Sequence, residues 1–171
     1  MKLLDLHQKN PERAPVLFAG LASAAFLVTA LVGQYGFNLH PCELCIAQRV
    51  PYILILMIVV AALAGKVSVP CFKQLAVVCG LLLFIDGGIA VYHSGVELGI
   101  FPGPSGCTNN GKSGETIEEL RAAIMNAQAV PCDQPMVYVL GLSMASWNAL
   151  AAAVSGIVTF TLLKKNRNYA G

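Results

Sequence analysis

The chain has 171 residues, of which 56% are apolar and 12% charged, and a net charge of +2 with its histidines neutral. Soluble domains average roughly 45–50% apolar and about 25% charged residues, so this composition excludes an ordinary water-soluble domain and points to the bilayer. The small positive excess is accounted for by basic anchors at the ends of apolar segments and gives no reason to invoke a nucleic-acid partner.

Crossing a hydrocarbon core of about 30 Å takes roughly 20 apolar residues in a helix, and four runs qualify. The first covers about 15–37. The second covers about 46–65 and is charged only at Arg49, near its start. The third covers about 72–93 with Asp86 inside it, and the fourth about 144–163. The fold expected is an all-α membrane protein. It is a single domain over 1–171, a four-transmembrane-helix bundle with a short first extracytoplasmic loop at about 38–45 and a long second one at about 94–143. A cleaved signal peptide is the competing reading of the first run, because VTA near Thr29 resembles a small-residue cleavage site. That run exceeds the roughly 7–15 residues of a signal h-region and other spans follow at once, so it is expected to stay.

Lysines and arginines set the orientation. Lys2, Lys9, Arg13, Lys66, Lys73, Lys164, Lys165 and Arg167 fall on one side, against Arg49, Lys112 and Arg121 on the other. The positive-inside rule then puts both termini and the 65–73 turn in the cytoplasm and the loops at about 38–45 and 94–143 outside, in the periplasm of a bacterium with an inner membrane. Within the long loop, 116-TIEELRAAIMNAQ-128 reads as a short amphipathic helix, with Thr116 and Glu119 spaced as a capping box. Trp147, Tyr35, Tyr52, Tyr92 and Tyr138 read as aromatics of the interface belt.

The same topology sorts the six cysteines. Cys42, Cys45, Cys107 and Cys132 lie outside, where disulfides persist, while Cys71 and Cys79 read as small buried hydrophobes. Four outer cysteines allow three pairings, and sequence does not choose among them. Cys42 and Cys45 are close enough to pair with each other, which leaves Cys107 and Cys132 to close a loop. A CxxC ring closes almost no chain and does little as a staple, so the first pair reads as redox-active. Cys45 precedes the second span and Arg49 lies four residues on, which together favour a thiolate at Cys45. Zinc is the lesser reading, because Cys107 and Cys132 are twenty-five residues apart and no second closely spaced pair exists; no metal is expected. Asp86, an ionisable group inside a span, is expected to stay neutral or pair within the bundle, and Asp86→Asn to keep at least half of activity.

No GxGxxG follows a strand, and Ile46 after Cys45 rules out a CxxCH haem site. An acceptor dissolved in the bilayer needs no such motif, and a quinone fits a cysteine pair at the membrane surface.

PCELCIAQR before the second span, YHSGVELGIFPGPSGC after the third, and VPCDQP with LGLSMASWNAL before the fourth together carry a resemblance. The chain resembles the DsbB-type quinone-linked disulfide oxidoreductases of the bacterial inner membrane. The resemblance implies that Cys42 and Cys45 are the membrane-proximal pair. Cys45 would face a quinone, ubiquinone or menaquinone, held with help from Arg49 and His93. It implies that Cys107 is attacked by a reduced periplasmic DsbA-like thiol oxidase, and that Cys132, its companion, exchanges with the first pair through Cys42. Electrons would pass between the pairs through transient mixed disulfides. The alternatives are a dedicated partner other than the general thiol oxidase, or a tetraspan structural or binding protein whose outer loops are disulfide-stapled.

Overall fold

In a computed structural model, the structure describes residues 13–65, 69–104, 117, 130–135 and 137–169. Cys107, and the expected loop helix apart from Ile117, lie outside them. The first apolar run forms α1, Ala14–Leu31, extended by one π-helical turn at Val32–Gly36. The second span is made of α2, Glu43–Ala47, and α3, Arg49–Ala64. The break falls at Gln48 because Pro51 has no N–H to offer the carbonyl of Ala47. Next come α4, Val69–Glu97, and α5, Met144–Tyr169. Four of these helical segments are long and apolar enough to cross a membrane: Ala14–Gly36, Glu43–Ala64, Cys71–Glu97 and Met144–Asn166.

Burial fits a lipid solvent. Leu21, Val28, Met57, Val60, Leu81 and Val154 are exposed, whereas Ala19, Ala62, Ala76, Ala90 and Ala152 are buried. Lipid is as apolar as leucine, so large apolar side chains can face outward, and small residues let helix backbones approach. The α4–α5 contact shows the device twice. A Cβ at Gly80 would lie 2.6 Å from the Phe160 ring, and one at Gly156 would lie 3.1 Å from the Phe84 ring. Each ring rests on the opposite glycine, and the two rings stack with centroids 5.9 Å apart. Away from the CxxC pair, Val16, Ala19, Ile55, Val59, Phe72, Ala76, Cys79 and Leu83 form one apolar cluster.

Two details position the end of the bundle that carries the CxxC pair. Helix α4 runs one turn past the expected end of the third span, to Glu97. Before α5 a two-residue hairpin, β1 (Tyr138–Val139) with β2 (Leu142–Ser143), turns through Leu140 and Gly141 at φ 53° and 81°. Positive φ at both central residues is what a type I′ hairpin turn demands. The indole N–H of Trp147 donates to the Val139 carbonyl at 2.9 Å, and the Ser143 hydroxyl accepts from the Ser146 N–H at 3.2 Å, capping α5.

Candidate active site

The short irregular stretch after α1 ends at Cys42, which has φ −76° and ψ 173° and is the N-cap of α2. Its Sγ accepts the Cys45 backbone N–H at 3.3 Å and lies 3.0 Å from Cys45 Sγ. Both cysteines are free thiols; a disulfide would bring the sulfurs to about 2.05 Å, so the pair is reduced and already in register to close. Since Cys42 Sγ already receives one N–H, Cys45 keeps its proton and donates it to the neighbouring sulfur. That hydrogen bond, with contributions from His93 and the Cys45 N–H, pulls the Cys42 thiol down to about 4 against the opposing effect of burial. The thiolate expected at Cys45 is thus placed at Cys42. The reason is the helix start: α2 begins at Glu43, three residues earlier than the span boundary read from the sequence, so Cys42 is its N-cap and the free Cys45 N–H of the first turn points at the Cys42 sulfur.

Cys42 and Cys45 form part of the wall of a cavity of about 630 Å³, with Arg49, His93, Gln34 and Trp147 around it. Phe26, Leu27 and Ala30 make its apolar side. Arg49 Nη1 donates to Gln34 Oε1 at 2.7 Å, so the π turn of α1 helps fix the guanidinium. His93, buried on α4, has Nε2 at 3.6 Å from Cys42 Sγ and 3.7 Å from Glu97 Oε1. The extra turn of α4 is what supplies Glu97.

Several residues of this site carry no motif. Gln48 lies between two residues of a recognisable pattern and is buried; its Nε2 is 3.0 Å from His93 Nδ1. Asn148 Nδ2 donates to Gln48 Oε1 at 3.0 Å and to Asp86 Oδ2 at 3.0 Å, while the Tyr52 hydroxyl donates to Asn148 Oδ1 at 2.7 Å. Tyr52 is therefore not an interface-belt aromatic. It is 3% exposed and packs on Phe26, ring centroids 5.1 Å apart. Tyr35 and Tyr138, by contrast, are exposed. The signal available in the sequence was polarity out of place: Gln48, Asp86 and Asn148 interrupt otherwise apolar spans.

Cys132 is buried and disulfide-bonded, and it packs with Cys42, Leu44 and Val96 in a small cluster flanked by Cys45 and Val130. Cys107 lies outside the described residues. Cys71 and Cys79 are free, and Cys79 packs in the apolar cluster at the far end of the bundle. Cys42, Cys45 and His93 offer three metal-ligand atoms within 4.8 Å of one another. Two thiolates on one tetrahedral zinc stand roughly 3.8 Å apart, so at 3.0 Å the sulfurs are spaced for bond formation with each other rather than for a metal between them.

Comparison with known proteins agrees with this arrangement. The family model described as "Disulfide bond formation protein DsbB" matches residues 12–162. A disulfide bond formation protein B 1 of Pseudomonas syringae pv. syringae is 29% identical over 168 residues, covering 95% of each chain. Disulfide bond formation protein B of Cupriavidus metallidurans is 28% identical over 142 residues, covering 81% of this chain and 84% of its own. An uncharacterized protein, RP370, of Rickettsia prowazekii is 28% identical over 126 residues, covering 72% of each chain. With its four membrane-crossing helices and a reduced CxxC pair at one end of the bundle, the chain belongs to the DsbB family of disulfide bond formation proteins.

Proposed function

We propose that the protein is a protein-dithiol:quinone oxidoreductase of the bacterial inner membrane that reoxidises a DsbA-like periplasmic thiol oxidase. The observation that carries this reading is the placement of Cys42 and Cys45, sulfurs 3.0 Å apart, on the wall of an apolar cavity shared with Arg49 and His93. The donor set suits a quinone: a guanidinium and an imidazole for a ring oxygen, with apolar side chains for the ring and tail. Arg49 and His93 would hold it, and Cys45 would face it. A bound quinone supplies an acceptor for the two electrons of the dithiol.

The chain's own residues do the rest. Cys132 is disulfide-bonded, and this reading gives it Cys107 as its companion. A thiolate of the reduced partner attacks Cys107, the partner's second thiolate releases itself as a disulfide, and Cys107 and Cys132 become a dithiol. Cys132 then attacks the Cys42–Cys45 disulfide at Cys42, and Cys107 resolves that mixed disulfide, leaving Cys42 and Cys45 reduced. Packing of Cys132 against Cys42 supports this route. The low pKa of Cys42 makes it a good leaving group when it is displaced. On this reading the two outer loops face the periplasm and both termini the cytoplasm.

The deciding experiment is quinone reduction by the purified protein, fed by a reduced thioredoxin-like dithiol partner and compared with Cys45→Ser. Turnover that vanishes in the variant is the expected result. No turnover with any of several partners and quinones would leave the outer cysteines as staples of a structural membrane protein.

A further inference from the structure

Asp86 has no part in the relay just described, yet it is fully buried near the middle of α4, and its Oδ1 has no hydrogen-bond partner among the described residues. Burying a carboxyl with one oxygen unsatisfied is costly. Its other oxygen, however, starts a directed chain of hydrogen bonds that ends at the reactive sulfur.

Each amide in that chain has an accepting end and a donating end, and turning one over turns over the next. Asp86 Oδ2 accepts from Asn148 Nδ2 at 3.0 Å. The Tyr52 hydroxyl, which also lies against the carboxyl, donates to Asn148 Oδ1 at 2.7 Å. These two contacts hold the Asn148 amide one way round, with its NH2 also facing Gln48 Oε1 at 3.0 Å. Gln48 must then present its own NH2 to His93 Nδ1, 3.0 Å away. A ring nitrogen facing an NH2 donor can only accept, so the proton of the neutral ring sits on Nε2. That nitrogen lies 3.6 Å from Cys42 Sγ and 3.7 Å from Glu97 Oε1.

We propose that Asp86 is a positioning residue: acting through Asn148 and Gln48, it fixes His93 as the Nε2–H tautomer, so that the imidazole donates toward the Cys42 sulfur. Without Asp86 the Asn148 amide loses the acceptor that orients it, Gln48 is free to turn its oxygen to His93, and the ring proton moves to Nδ1, away from the sulfur. Asparagine at position 86 keeps an acceptor oxygen; leucine does not. The inference rests on the proposed relay only for its consequence at Cys42.

The test uses the reduced full-length protein in detergent with 15N-labelled histidine, in a His7→Gln, His40→Gln background that leaves His93 as the one histidine. Long-range 1H–15N correlation separates the two tautomers without partner or quinone. The parent and Asp86→Asn are expected to show Nε2–H, and Asp86→Leu to show a gain of Nδ1–H. Should Asp86→Leu fail to fold, Asn148→Leu and Gln48→Met cut the same chain further along and are expected to give the same gain of Nδ1–H. A parent ring protonated on Nδ1, or on both nitrogens, overturns the proposal. So does an unchanged Nε2–H tautomer in the folded variants. A protein with the tautomer shift but no quinone reduction would sink the proposed activity and leave the positioning role standing.

Discussion

The two ends of the bundle are built from the same four spans and held by different forces. At the half away from the CxxC pair, α1, α3 and α4 meet through Val16, Ala19, Ile55, Val59, Ala76 and Leu83, and Cys79 among them is one more small apolar side chain. At the half that carries the CxxC pair the facing positions are Gln48, Tyr52, Asp86, His93 and Asn148, joined by hydrogen bonds of 2.7–3.0 Å. A cysteine's chemistry follows its neighbourhood. Cys79 is wrapped in hydrocarbon, while Cys42 sits where a thiol, an imidazole and a backbone N–H all stabilise its charge. Dispersion seals one end, and directed polar contacts tune the other.

Substitutions at the CxxC end of the bundle have the largest expected effects. Cys42→Ser is expected to abolish turnover with a reduced partner, because neither transfer into nor out of the Cys42–Cys45 pair survives; measurable turnover in the quinone-reduction assay would show that the relay bypasses residue 42. Next in size is a pH effect. Because the Cys42 thiol lies far below its ordinary value of 9.0, near 4, its thiolate persists as pH falls. Alkylation of the reduced protein at Cys42 should change less than about twofold between pH 8 and 6, while an ordinary thiol slows by nearly a hundredfold. A steep fall over that range would mean the hydrogen bonds at Cys42 are not made.

Arg49→Ala is expected to raise the quinone KM by about tenfold or more, the scale of a lost hydrogen bond to a charged group at roughly 1.5–3 kcal/mol. A change in kcat alone would instead assign the guanidinium to the chemical step. At the α4–α5 contact, Gly80→Ala drives a methyl into the Phe160 ring, with 2.6 Å available. Overpacking of this kind costs about 1–3 kcal/mol, seen as a lower Tm in detergent. Cys79→Ala, the smallest change, should cost about 1 kcal/mol of stability and leave turnover within twofold; a larger loss of activity would give Cys79 a role that its apolar surroundings do not suggest.

Much of the fold was legible in the chain because membrane helices obey a coarse rule. Twenty apolar residues satisfy their own backbone in hydrocarbon and need no tertiary partner to do so, so the four spans emerged within a few residues of their true ends. The differences have local causes. Pro51 splits the second span at Gln48, and α2 starts early enough for Cys42, not Cys45, to cap it. Helix α4 carries one further turn to Glu97, and a hairpin that no alternation pattern announced closes through Leu140 and Gly141. Within the site, the CxxC pair, Arg49 and His93 were readable from their motif. Gln48, Tyr52 and Asn148 were not, since a polar residue in a span says only that it wants a partner, and the partner lies as many as 100 positions away in the chain.

By itself, then, the sequence determined that the chain enters the bilayer, how many times it crosses, and that a closely spaced cysteine pair stands at a helix end. These are matters of local composition and spacing, which the solvent reads directly. Only the tertiary structure decided which cysteine carries the charge, which face of Tyr52 is buried, and that Asp86 reaches toward His93 through two amides. Those are matters of which atoms lie within 3 Å of one another, and that depends on how four helices pack around a few glycines and alanines rather than on any one stretch of the chain.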